Sequence, residues 1–162
     1  MPKLSGGNVA ARAVLNGWGI NSIYQYISGS PLWINQSADG ENNGNQNQRP
    51  DLVPGQSLKL AHRTNAEWFN TAAFTEAIGH YGSTPRNPLS GVKNDPLTLA
   101  IKRAFPLPFE GQHLDFRLEA FNALNHPQFA APGTTQGSGN FGVIASTQSD
   151  NRDLQLALKY VF

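Results

Sequence analysis

Between His113 and Ala120 the ionisable side chains all fall on one parity: His113, Asp115, Arg117 and Glu119 alternate with Leu114, Phe116, Leu118 and Ala120. A β-strand sends successive side chains to opposite faces, so this stretch predicts a ribbon with one apolar side and one charged side. Such a ribbon separates two unlike environments. In a soluble sandwich the apolar side meets a second sheet and the charged side meets water. In a membrane barrel the apolar side meets lipid and the charged side a polar lumen.

Three further segments carry strand signals. The first runs from about Gly17 to Asn35, with Trp18, Ile20, Tyr24 and Tyr26 on one parity, and Gly29 with Pro31 marking a bend or bulge. The second, Leu97 to Phe105, puts Leu97, Leu99, Ile101 and Phe105 on one face and Thr98, Ala100, Lys102 and Ala104 on the other; Arg103 alone spoils the apolar row. The last closes the chain with Leu154, Leu156, Leu158, Tyr160 and Phe162 against Asp153, Gln155, Ala157, Lys159 and Val161. A short Pro and Gly turn, Pro106 to Gly111, joins the second segment to the third. Two long polar connections, Gln36 to Pro96 and Asn125 to Arg152, join the others. The first opens on the low-complexity run Asn42 to Gln48 and offers Thr64 and Glu67 at capping-box spacing, which predicts a short helix around Asn65 to Phe69. Within the second, Phe141 to Ala145 reads as a short strand.

Composition excludes several classes. Sixteen Gly and eleven Pro interrupt the chain too often for a helical bundle. Asn and Gln together number 26 against 23 charged residues, and the net charge is +1 with no basic run, so nucleic acid is not an expected partner. Cysteine is absent, which removes disulfides, thiolate catalysis and Cys-based zinc sites. The uncharged stretches Ala13 to Ala38 and Ala120 to Ser149 are too polar and Gly-rich for transmembrane helices. Met1 to Asn8 lacks the apolar core of a secretory signal, so the expectation is a chain without its own export signal.

Three features favour lipid over a second sheet. The alternating segments have the roughly 9–11 residues a tilted strand needs to cross a bilayer. One short turn lies on one side and two long polar loops on the other, as in outer-membrane barrels. Aromatic residues gather near segment ends, at Trp18, Phe105, Phe109, Phe121, Tyr160 and Phe162, where interfacial rings sit. The expected fold is therefore all-β, an antiparallel transmembrane barrel segment of about four strands with long polar loops. Four strands cannot close a barrel, since about eight is the smallest single-chain number, so either neighbours from a larger barrel or further copies must complete it.

The stretch Gly17-Trp18-Gly19-Ile20-Asn21-Ser22-Ile23-Tyr24, followed by Ser28-Gly29-Ser30-Pro31-Leu32, resembles the Gly-Trp strand and Ser-Gly-x-Pro near the carboxyl end of TonB-dependent outer-membrane receptors, and among them the Oar-like group. Asn47-Gln48-Arg49-Pro50-Asp51-Leu52, Trp68-Phe69-Asn70-Thr71-Ala72-Ala73-Phe74, Arg117 to Pro127, Phe141-Gly142 and the alternating tail follow in the same order, so that the resemblance covers about residues 14 to 162. It implies a barrel of about 22 strands plugged by an amino-terminal domain, importing scarce ligands with energy passed by TonB. On that resemblance residues 1–16 are a periplasmic-side leader or turn and 17–162 are barrel, with plug, TonB box and signal peptide expected to be missing and Met1 an internal start or a truncated gene product. The expected partners are outer-membrane lipid, the remaining strands and plug, TonB indirectly, and the barrel-assembly machinery, whose signal maps to Leu158, Tyr160 and Phe162. Leu99, Ile101, Leu114, Phe116, Leu118, Leu154 and Leu156 are expected to face lipid, and Lys102, Asp115, Arg117 and Glu119 the lumen. Phe162 is expected in the periplasm and the two long loops outside the cell.

No catalysis, cofactor or metal is expected. Gly137-Ser138-Gly139-Asn140-Phe141-Gly142 spells the dinucleotide fingerprint but lacks the strand before and helix after. Asp39, Glu41, Asn43 and Gly44 imitate the start of a calcium loop, yet its twelfth position is Pro50 instead of a bidentate Glu. His62, His80, His113 and His126 lack paired ligand spacing. Asp115 and Glu119 share a face like paired catalytic carboxylates, but Arg117 between them points to a charge-balanced wall. The competing expectation is a secreted β-sandwich carbohydrate-binding module that stacks sugars on Trp33, Trp68 and Tyr81.

Overall fold

The computed structural model describes residues 8, 15–45 and 47–162; most of the expected leader, residues 1–7 and 9–14, lies outside the described residues. In chain order the strands are β1 Gly19–Tyr24, β2 Pro31–Leu32, β3 Asn35–Gln36, β4 Asp51–Leu52, β5 Phe74–Thr75, β6 Leu89–Ser90, β7 Leu97–Pro106, β8 His113–Phe121, β9 Thr135–Gln136 and β10 Asp153–Val161. They fall into two units.

The sheet unit holds the described residues up to Tyr26, with Asp95–Pro127 and Asp150–Phe162. Its four long strands pair antiparallel in the order β1-β7-β8-β10. Register fixes the faces: Ile20 lies opposite Ile101, Ile101 opposite Leu118, and Leu118 opposite Leu156. Side chains directly across antiparallel strands share a face, so the alternation read along each strand becomes continuous across the sheet. The turn end is closed by Leu107 N–H on Gln112 carbonyl and Gln112 N–H on Phe109 carbonyl, with Gly111 at φ 75°. At the other end Asn122 and Asn125 take left-handed φ of 48° and 53°, a conformation Asn tolerates better than most side chains. The Asn122 amide donates to His126 carbonyl and accepts from His126 N–H, while Asn125 Oδ1 accepts from Arg152 N–H.

The loop unit holds Ile27–Asn94 and Gln128–Ser149. It has its own core of Leu32, Ile34, Phe69, Ala73, Phe74 and Leu89, with Phe141 packed against it. Phe69, Phe74 and Phe141 meet edge to face at 5.1–5.8 Å. Alternation runs through Leu32 to Gln36, where Leu32, Ile34 and Gln36 point inward and Trp33 is half exposed. The buried Gln36 amide is satisfied by Ala38, Gln48 and Ala77, which meets the demand that interior polar groups find partners.

Three local expectations are corrected. The first strand ends at Tyr24 and does not reach Asn35, because the chain past Ile27 turns into the loop unit's core. No helix forms over 65–69: Thr64 and Glu67 exchange backbone hydrogen bonds in a tight turn, and the Glu67 carboxylate bonds forward to Thr71, where a 3₁₀ turn spans Thr71–Ala73. The competing demand is tertiary, since Phe69 is buried in the core while Trp68 donates its amide to Gly142 and its indole N–H to Ser90. In the last connection the short strand is β9, paired parallel with β3, and Phe141 contributes a single bridge to Gly133.

Candidate functional site

Register places Leu99, Ile101, Leu114, Phe116, Leu118, Leu154 and Leu156 on one face of the sheet, joined by Ile20, Phe105, Leu158 and Tyr160. Among the described residues of the sheet unit, none forms a second layer over that face. Leu154, Leu156 and Leu158 remain 60, 69 and 62% exposed and Leu99, Ile101, Leu114, Phe116 and Leu118 are half-buried; among the described residues of the sheet unit, Ala100 on the opposite face is the one fully buried hydrophobic residue. Soluble monomers rarely leave so large an apolar patch bare. The sandwich expectation lacks its second layer on this face, and its Trp68 is engaged by the loop unit, with Arg63 5.0 Å over the ring.

Arg103, the one charge in the apolar row, is only 8% exposed. Its guanidinium sits 4.4 Å from the Phe105 ring centroid and 5.4 Å from that of Trp18, which meets both Phe105 and Phe116 edge on. Ring faces attract a cation, so an aromatic cage lets an Arg occupy an apolar row. Trp18, Phe105 and Tyr160 cluster at the end bearing the 107–112 turn, and the exposed tip Phe109 lies in that turn. Phe121 departs from the expected girdle, because register sets it opposite Asp153 on the charged face.

Lys102, Asp115, Arg117 and Glu119 lie together on the opposite face, joined by Asn21, Gln155 and Lys159. Arg117 bridges Glu119 at 2.6 Å, and His113 lies 3.6 Å from Asp115. Asp115 thus lies beside the His113 imidazole and Glu119 beside the Arg117 guanidinium. Gly17, Gly19, Lys102, Asp115 and Arg117 help line an open depression of about 630 Å³. Among the described residues no group of His, Asp and Glu could hold a metal ion. Leu158 and Tyr160 project from edge strand β10, and Phe162, 92% exposed, stacks on Tyr160 at 5.8 Å.

In the loop unit Asp51 forms a clamp that sequence reading missed. One carboxylate oxygen accepts from Ser83 N–H at 2.9 Å and the other meets His80 Nε2 at 2.6 Å, while His80 Nδ1 lies 2.9 Å from Ile78 carbonyl. Both ring nitrogens thus face acceptors, an arrangement that suits the imidazolium. The Asp51 bond, then the Ile78 carbonyl, raises the His80 pKa; the Ser83 amide and then His80 lower that of Asp51. A raised His pKa gives stability that is full below the unfolded value and lost as pH rises through the folded one. For Asp51 the contribution is present above the ordinary carboxylate value and lost as pH falls through the lowered one. The protection factor of the Ser83 amide should therefore fall as pH rises through the raised His80 pKa in the native chain. His80→Gln should lose that pH dependence; superimposable protection profiles would remove the clamp from the account.

A sheet with one apolar face, one charge-balanced face and three strands of nine or ten residues defines a membrane-spanning β-sheet protein. Residues 1–155 match a family described as an outer membrane beta barrel domain, and the chain belongs to that family. Its place is the cell outer membrane of a Gram-negative bacterium. Comparison with curated proteins and with solved structures found no match.

Proposed function

We propose that the four long strands are part of the wall of a TonB-dependent receptor of the Oar-like group, which takes up ligand across the outer membrane and has no catalytic chemistry. The observation that carries this is the exposed apolar row of a sheet whose edge strands β1 and β10 each pair on one side only among the described residues. An open edge is not tolerated in lipid, so further strands must continue the wall on both sides. On this reading Leu99, Ile101, Leu114, Phe116, Leu118, Leu154 and Leu156 face lipid. Lys102, Asp115, Arg117 and Glu119 face the lumen and its plug, and Leu158, Tyr160 and Phe162 are presented to the barrel-assembly machinery. Both long connections leave the sheet from the end opposite the 107–112 turn, which supports a periplasmic turn and external loops. The ordered likeness of residues 14 to 162 to the family's carboxyl end supports the receptor assignment.

The test uses the protein in its native cells. An antibody against residues 150–162 should detect a heat-modifiable outer-membrane band much larger than 162 residues, and the native receptor should be retained by the periplasmic domain of TonB. A band of this chain's size, or no retention by TonB, overturns the proposal.

A further inference from the structure

Within the low-complexity stretch that begins at Asn42, residues 42–45, 47 and 48 are tied together by their own side chains. Asp39 accepts from the amides of Asn43 and Gly44 at 3.1 and 2.8 Å and from Gln48 Nε2 at 2.7 Å. Asn43 Oδ1 accepts from Asn45 N–H and Asn45 Oδ1 from Asn47 N–H, two successive Asx turns. Buried Gln48 ties the loop to Gln36 and to Glu41 N–H. The Asp39 carboxylate is spent on N–H donors, foremost Gly44, which hold its pKa below the ordinary value. It is the wrong environment for a cation, whose ligands must be free oxygens.

This ordered loop forms one wall of an open depression of about 240 Å³, completed by Trp33, Arg49, Tyr81 and Gly82. Trp33 is 40% and Tyr81 81% exposed, although Leu32 and Ile34 on either side of Trp33 are buried. Gly82 permits the closing approach: a Cβ there would lie 1.8 Å from Arg49 carbonyl. The Asp51–His80 clamp holds the chain directly before Tyr81.

We infer that this depression is a binding site for a neutral oligosaccharide, with Trp33 and Tyr81 as stacking faces and Asn45, Asn47 and Arg49 as hydrogen-bonding groups. Among the described residues Glu41 and Arg49 are the charges lining it, Glu41 accepting from Asn43 and Arg49 donating one N–H to Thr84 carbonyl, so neither an anion nor a cation is favoured. The Asn47 side chain carries no hydrogen bond among the described residues, and its amide offers both donors and an acceptor to a ring of hydroxyls. Tyr and Trp supply rigid contact area at small entropic cost while Asn supplies adaptable hydrogen bonds, a division of labour that suits a ligand with apolar ring faces and polar rims. The volume falls below the roughly 300–1,000 Å³ of sites that enclose compact drug-sized ligands, and fits one segment of an extended chain. Because the loop is ordered beforehand, little entropy is lost on binding. The inference rests on the uptake reading only for its location, outside the cell.

The test measures depletion of radiolabelled maltohexaose, cellohexaose and laminarihexaose by outer-membrane vesicles carrying the protein, with hexagalacturonate and ferrichrome as anionic and metal-chelate comparators. At least one neutral hexasaccharide should bind. Trp33→Ala and Tyr81→Ala should each weaken it at least tenfold, and Asn47→Ala several-fold, with loop resistance to protease unchanged. If Trp33→Ala alters that resistance, Tyr81→Ala decides, since its ring packs least. Failure of all three neutral sugars on protease-resistant loops overturns the inference. So does binding indifferent to Trp33 and Tyr81, or preference for either comparator. Sugar binding by a receptor that TonB does not retain would sink the uptake reading and leave this site standing, and the reverse result would do the opposite.

Discussion

Leu118→Arg is expected to destabilise the assembled barrel by about 2–4 kcal/mol, the cost of an Arg on a lipid-facing strand at mid-depth. Leu118 sits near the middle of β8, with Ile101 on one side and Leu156 on the other, so its side chain has apolar neighbours on both flanks and no polar group across the strand. Gln155→Arg places the same charge on the opposite face, directly across from Glu119, and should be close to neutral. Urea unfolding of the full-length barrel in lipid vesicles reads both. Equal effects from the two substitutions would mean that the two faces see the same medium, and the lipid assignment would fall.

Phe69→Ala is expected to cost the loop unit about 3–5 kcal/mol, the usual penalty for emptying a buried aromatic site. Phe69 is 1% exposed and its ring is the one that meets both Phe74 and Phe141, so its loss removes two edge-to-face contacts as well as core volume. The described residues of that core all belong to the loop unit, so the strands of the sheet unit should stay protected. Limited proteolysis of vesicles separates the outcomes: cleavage within 27–94 with the wall intact is expected. Unchanged resistance would show that the aromatic cluster does not hold these loops.

The long strands were legible because alternation is a local property. His113 to Ala120 shows its faces without any partner, and β7, β8 and β10 begin and end within a residue or two of where the alternation does. The resemblance pieces gain physical meaning only in three dimensions. Asn122 and Asn125 turn the chain at the end of β8, Asp51 clamps His80, and Phe69 and Phe74 build the loop core. The helix expected at 65–69 failed because capping-box spacing is a weak local signal, and burying Phe69 while satisfying Trp68 outweighed it. His80 and Asp51 are 29 residues apart, and no spacing rule joins them.

By itself the sequence determined a two-faced β-ribbon and an all-β chain, with the charges of His113 to Ala120 confined to one side, because side-chain parity follows from backbone geometry alone. Tertiary structure alone decided that Leu154, Leu156 and Leu158 stay exposed, that Arg103 is caged by Trp18 and Phe105, and that Asn45 and Asn47 lie beside Trp33 and Tyr81. The approach of Trp18 to Arg103 and of Tyr81 to the Asn-rich run joins segments far apart in the chain, where loop closure and packing set the balance.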